Sequence, residues 1–220
     1  MKREILSTND GSTTIFIPDM DETYHSTHGA IQEALHVFIE NGLREIKNEI
    51  TTEVHIFEMG FGTGLNALLT ASNSKGKVCY TGVEAYPVEK ELLDHLNYAV
   101  ELGGETEELF QKIISSPWNQ NVEICADFIL NKVHSKIEEY SMPRAHFDLV
   151  FFDAFGPRAQ SSMWEMKILS KIVDGLKAGG VLVTYCAMGQ FKRDLKALGM
   201  KVESRPGPPG KREMTVATKM

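Results

Sequence analysis

Apolar positions along the chain follow two spacings. Short runs rich in Val, Ile, Phe and Tyr at 54–57, 77–83, 122–126, 147–152, 181–185, 200–204 and 214–218 predict seven strands. Between them apolar residues recur three or four positions apart. Ile31, Ala34, Leu35, Phe38 and Ile39 predict a helix over 30–40, closed by Asn41-Gly42, with a short continuation over 43–50. Further helices are predicted over 65–70, 87–102, 128–140, 163–176 and 189–198; Ile129, Val133 and Ile137 give the one at 128–140 its apolar face. Residues 109–121 carry no regular pattern. Strands alternating with helices predict an α/β fold with a mostly parallel, doubly wound sheet whose last strand is antiparallel. The near-continuous apolar run at 147–152 suits a strand buried on both faces. Upstream, Asp10-Gly11 separates Ile5-Leu6 from the run at 14–17 and predicts a small β-hairpin. The expected organisation is an N-terminal extension of hairpin and helix, 1–50, packed on a main domain, 51–220.

The first strand of the main domain runs into Glu58, and three alternating glycines follow, Gly60, Gly62 and Gly64, before helical residues begin. Strand, glycine-rich turn and helix open a nucleotide-binding βαβ unit. The spacing G-x-G-x-G departs from the dinucleotide fingerprint. An acid just before the first glycine would repel a pyrophosphate but suits a cationic ligand, and S-adenosylmethionine carries an ammonium and a sulfonium. The stretch therefore reads as the first motif of a Rossmann-like class I methyltransferase. Gly60, Phe61, Gly62 and Gly64 are its cofactor-binding residues, with Glu58 meeting the cofactor's amino group through the turn. Glu84, at the end of the second strand, is placed to bind the ribose hydroxyls. Asp127, read at the carboxyl end of a third strand, is placed near the adenine amine. Asp153 ends the fourth strand, beside the switch point where ligands of open α/β sheets bind, and is expected among the cofactor-binding residues as well.

Composition narrows the picture further. The chain has 220 residues, 42% hydrophobic and 24% charged, ordinary for one globular unit. Cys79, Cys125 and Cys186 are far apart in apolar runs and read as buried thiols in a reducing compartment. No signal-peptide core and no membrane-length apolar run is present in the sequence, so a cytoplasmic location and no membrane partner are expected. His25 and His28 with Asp21 match no common ligand spacing, so no metal is expected. The formal charge of −7 is unevenly spread: residues 192–220 hold eight Lys/Arg and three Asp/Glu, leaving that end at +5 and the rest at −12. A basic end on an acidic body suits either local docking to a phosphate backbone or a solvated face.

Four stretches now carry a family resemblance: Tyr24-His-Ser26 with the following helix, Glu58 through Asn66, Phe152 through Pro157 with Met163-Trp164, and Gly210 through Met214. The chain resembles the methyltransferase domain of the MnmC family, most closely its free-standing (MnmD) form, over nearly its whole length. The resemblance implies methylation of 5-aminomethyl-2-thiouridine at the tRNA wobble position, giving the 5-methylaminomethyl form, with S-adenosyl-L-methionine as methyl donor. Related enzymes carry a second, FAD-dependent oxidase domain, for which no room is expected after the closing strand. One departure from the family pattern is the loop at 157–163. It lacks the lysine and further proline usual in the bifunctional enzymes.

On this reading Asp153 orients the amine and receives its proton; an ordinary helix cap is the plain alternative. Phe155 stacks on the target base. Trp164 does the same or fills core, and Tyr24 packs on the methionine part of the cofactor or on the core. Arg158, Lys192, Arg193, Lys211 and Arg212 contact the phosphates of the tRNA anticodon arm, and a monomer is expected. Two other classes stay open. A methyltransferase for a small-molecule or protein amine would keep the glycine motif without needing the basic end. A non-catalytic RNA-binding module would keep the basic end and could lose the acids at 58, 84, 127 and 153, all of which are present.

Overall fold

The computed structural model describes residues 2–46 and 53–220. The boundary at 50/51 and the helical continuation over 47–50 lie outside them. Two sheets are present. β1 (Glu4–Ser7), β2 (Thr13–Ile17) and β3 (Glu22–Thr23) form a small antiparallel sheet, so the hairpin gains a third short strand. The main sheet contains β4 (Val54–Met59), β5 (Val78–Glu84), β6 (Asn121–Cys125), β7 (Phe128–His134), β8 (Phe147–Phe152), β9 (Leu176–Thr184), β10 (Met200–Pro206) and β11 (Glu213–Lys219). Its order is β10-β11-β9-β8-β4-β5-β7-β6. β9, β8, β4, β5 and β7 run parallel, and β11 enters antiparallel beside β9. The sheet is thus the expected doubly wound one, with eight strands instead of seven.

The extra strand is β7, on residues predicted as the helix over 128–140. Its burial alternates in period two, with Phe128, Leu130 and Lys132 inside. Ile129, Val133 and Ile137 mimic a helical stripe only because they stand four apart. A tight turn at Ala126-Asp127 folds β6 back as an antiparallel edge. The run at 122–126 therefore contributes the sheet's outer strand, not the third parallel one.

Helices cover both faces. α1 (Ala30–Ala34) continues through a π-helical segment, Leu35–Leu43, into Arg44–Ile46. Asn41-Gly42 does not end it: a Cβ on Gly42 would sit 3.0 Å from Val183, so glycine lets the helix lie close on β9. The Asn41 amide donates to the His36 carbonyl at 2.9 Å, inside the widened turn. α2 (Leu65–Asn73) packs on the same face with α5 (Thr106–Ser115), which buries Phe110, Ile113 and Ile114 where no pattern is expected. The predicted helix over 87–102 is split into α3 (Lys90–Leu93) and α4 (Tyr98–Leu102). At the break, Asn97 accepts from Thr13 N–H at 2.8 Å and donates to the Gly11 carbonyl at 2.9 Å, tying the hairpin down. On the opposite face lie α6 (Met166–Gly175) and α7 (Gly189–Ala197). Ile168, Leu169, Ile172 and Val173 of α6 are buried, each contributing about 1.5–3 kcal/mol. β4 serves both layers: Ile56 joins the first core and Phe57 and Met59 the second.

Candidate active site

The carboxyl ends of β4, β5, β7 and β8 open on one cavity of about 390 Å³, roofed by β3 and the loop after it. The size suits a nucleoside-bearing small molecule. Its floor is the glycine turn. Gly60 has φ +90°, and a Cβ there would overlap the Asp153 carbonyl oxygen. Gly62 has φ +52°, and its Cβ would stand 3.1 Å from the Tyr24 ring. Bare backbone is thus required where the turn passes between β8 and the roof. Gly60, Phe61 and Gly62 line the cavity. Gly64 starts α2 at φ +79° and packs against Phe61 and Ile113. Phe61 is buried, its ring against Gly82 and Trp118.

Glu84 sits at one end of the cavity. Its Oε2 accepts from Gly62 N–H at 3.0 Å and its Oε1 from Tyr86 N–H at 2.9 Å. Ala85, Tyr86, Ser135 and Ile137 complete this end. Asp127 is not among them. It lies in the β6–β7 turn, at the far edge, where its carbonyl accepts from Val78 N–H at the start of β5. Ser135, just past β7, lines the cavity instead. That residue is missed because β7 reads as a helix.

Asp153 occupies the other end. It caps no helix, since the next helical residue is Ser161. Its Oδ2 accepts from Asn66 Nδ2 at 2.8 Å, and the same amide donates to Glu58 Oε1 at 2.8 Å. Glu58 is only 1% exposed and does not line the cavity; Asn66 stands between them. Glu58, expected to meet the cofactor's amino group through the turn, is joined to the cavity by Asn66, which does line it. Burial, reinforced by the charge of Asp153, holds the Glu58 carboxyl well above the usual range. Its Oε2, like Asn66 Oδ1, is buried without a hydrogen-bond partner among the described residues. Burial also pushes Asp153 up to about 7; the charge of Glu33 adds to the rise, while the Asn66 amide and Lys211 oppose it.

The roof supplies Tyr24, His25 and Glu33. Tyr24 meets Phe155 edge-on at 5.0 Å, and both line the cavity. Arg3 lies 5.9 Å from the Tyr24 ring and binds the Tyr86 and Pro87 carbonyls and Glu89, fastening the roof to the loop after β5. His25 Nε2 bonds the Thr63 hydroxyl at 2.8 Å, and burial lowers its imidazole to about 4, so it is neutral at physiological pH. Trp164 is 4% exposed and packs on Phe152 and Phe191. It is core, and its indole N–H donates to the Phe155 carbonyl at 2.9 Å.

The basic residues divide. Lys211 turns inward, pairing with Glu33 and covering the Tyr185 ring at 4.0 Å. It lines the cavity with Asp153, and an outer groove with Arg212. Lys192 is engaged by Ser204 and Glu213 at 2.6 and 3.1 Å. Arg158, Arg193 and Arg212 are exposed. Cys125, read as buried, is also exposed, whereas Cys186 is buried.

Residues 105–220 match the family model described as S-adenosyl-L-methionine-dependent methyltransferase. The chain belongs to this family. The methyltransferase is 30% identical over 230 residues to the "tRNA 5-methylaminomethyl-2-thiouridine biosynthesis bifunctional protein MnmC" of Cupriavidus metallidurans, covering 97% of this chain and 33% of that protein. It is 27% identical to the protein of the same name from Leptospira interrogans, covering 90% of this chain and 32% of that one. It thus spans about a third of the length of these relatives. Among solved structures, MNMC2 from Aquifex aeolicus superposes with a TM-score of 0.78 at 27% identity, over 100% of this chain and 70% of that one. The fold is that of a class I methyltransferase, and the cofactor is S-adenosyl-L-methionine. The site fits it: a cradle floored by side-chain-free backbone, Glu84 for a ribose and carboxylates for a cationic centre.

Proposed function

We propose that the methyltransferase acts on the 5-aminomethyl group of a wobble 2-thiouridine in tRNA. The observation that carries this reading is the half-buried Asp153, held near pKa 7 on the same cavity as the stacking surface of Phe155. The names of the Cupriavidus and Leptospira relatives support the same substrate. S-adenosyl-L-methionine, when bound, supplies an electrophilic methyl group. Glu84 and the backbone around Gly62 hold its nucleoside part, and Tyr24 flanks the rest.

An alkylamine is mostly protonated near neutral pH and must shed a proton to attack. Asp153 attracts the ammonium, orients it and takes that proton directly or through water; a carboxylate raised to about 7 is matched to the task. Asn66 fixes the carboxylate's position. The target base leaves its stack and packs on Phe155. Arg158, Arg193 and Arg212 contact phosphates of the anticodon arm, which position the RNA without reading its sequence. The N-terminal segment, through residues 2–46, serves as a roof on the domain that follows. Mass analysis of nucleosides from bulk tRNA, incubated with enzyme and methyl donor, tests the reading. The expected product is 5-methylaminomethyl-2-thiouridine; methyl transfer confined to a free small amine or a protein would overturn it.

A further inference from the structure

At the amino ends of β4 and β5, away from the cavity, three different metal-binding side chains converge. Glu53 precedes β4, His55 is its second residue and Cys79 is the second residue of β5. Parallel register pairs His55 with Cys79, and strand alternation puts Glu53 on the same side as His55. His55 Nε2 lies 3.2 Å from Glu53 Oε1. One donor atom from each of the three residues lies within 4.8 Å of the other two. Cys79 is in no disulfide.

Neighbouring side chains hold His55 in place. His146 packs on the His55 ring at 4.4 Å between centroids, fixing its plane. Asp148 accepts from the His55 backbone N–H at 2.8 Å and is itself paired with Lys177. The backbone bond fixes this turn of β4 and the ring contact limits rotation of the imidazole. Lys77 holds the second Glu53 oxygen at 2.6 Å, but its side chain is 50% exposed, so an ion can displace it into solvent at small cost.

We propose that Glu53, His55 and Cys79 bind a thiophilic divalent transition ion of the Zn²⁺ type. A thiolate with an imidazole selects such ions over Mg²⁺ or Ca²⁺, and a water completes a tetrahedron. On binding, the Cys79 S–H proton leaves to solvent as the sulfur–metal bond forms. The ion pins the amino ends of two neighbouring strands and takes no part in methyl transfer. No spacing along the chain announces this site, because strand pairing assembles it.

Untagged, chelator-stripped protein titrated with Co²⁺ provides the test. The expected result is one equivalent bound, with a near-ultraviolet thiolate-to-cobalt band that Zn²⁺ removes by displacement. Cys79→Ser should lose the band and bind Zn²⁺ at least about tenfold more weakly, while Cys125→Ser keeps both. Glu53→Gln, on the partly exposed rim, should weaken Zn²⁺ but retain the band. Zn²⁺ should raise the unfolding midpoint of the wild type and not of Cys79→Ser. A wild type without the band, or a band that survives Cys79→Ser, overturns the proposal.

Discussion

The two ends of the cavity solve opposite problems. At the end we assign to the nucleoside, Glu84 has both oxygens bonded by backbone amides and is fixed in place. At the other end, Asp153, Glu58 and Glu33 crowd together: burial and the charge of Glu33 raise Asp153, and burial and the charge of Asp153 raise Glu58. One end is satisfied and the other is electrostatically frustrated. A satisfied acid recognises; a frustrated acid is ready to trade a proton. Asn66 and Lys211 are the counterweights at the second end, bonded to its acids and opposing the rise of Asp153.

Breaking the frustrated end should have the largest effect. Asp153→Asn is expected to lower the single-turnover methylation rate by about a hundredfold or more, as for a lost proton acceptor, with cofactor affinity nearly unchanged. A rate near wild type in rapid-quench measurements would reduce Asp153 to an anchor. Breaking the satisfied end should instead act on binding. Glu84→Ala is expected to weaken S-adenosyl-L-methionine by about 1–3 kcal/mol, from two charge-assisted bonds to a ribose. Calorimetric titration checks this, and unchanged affinity would dissociate Glu84 from the ribose.

A subtler change sharpens the contrast. Because Asp153 titrates near 7, the wild-type single-turnover rate should rise with pH through that region as the carboxylate forms. Lys211 lowers this pKa. Lys211→Met should therefore move the rising limb to higher pH, whereas Glu84→Ala should leave its position alone. Coincident profiles for Lys211→Met and wild type would remove Lys211 from the electrostatics of the site. The smallest effect lies outside the cavity. Arg158→Ala with Arg212→Ala should reduce the salt dependence of tRNA binding, each lost phosphate contact lowering the logarithmic slope by roughly 0.7–0.9. An unchanged slope would place the RNA on another surface.

Legibility in the sequence follows the same division. The glycine turn, Glu84 and Asp153 could be read because backbone geometry dictates their residue types and strand ends dictate their positions. The β6–β7 hairpin could not: seven residues bearing Ile129, Val133 and a following Ile137 satisfy both periods, and only pairing with β5 decides. That one ambiguity put Asp127 at the carboxyl end of a parallel strand, whereas it lies in the β6–β7 turn, off the cavity that Ser135 lines. The inward turn of Lys211 was hidden for another reason. Its partner Glu33 lies 178 positions away, and composition reports a cation's presence but not its direction. The basic end suggested RNA, while the fold spends its best-placed lysine on a buried acid.

The π-helical segment also bears on how the molecule ages. Asn41-Gly42 is the dipeptide most prone to deamidation, because glycine leaves its own amide free to attack the asparagine side chain. In the helix that attack is geometrically blocked: Gly42 is buried against β9, and the Asn41 amide is already bonded to His36. Chemical conversion at Asn41 therefore requires local unwinding of the helix that supports the sheet. Accumulation of isoaspartate at this one peptide bond becomes a slow, irreversible record of how often the folded chain opens there.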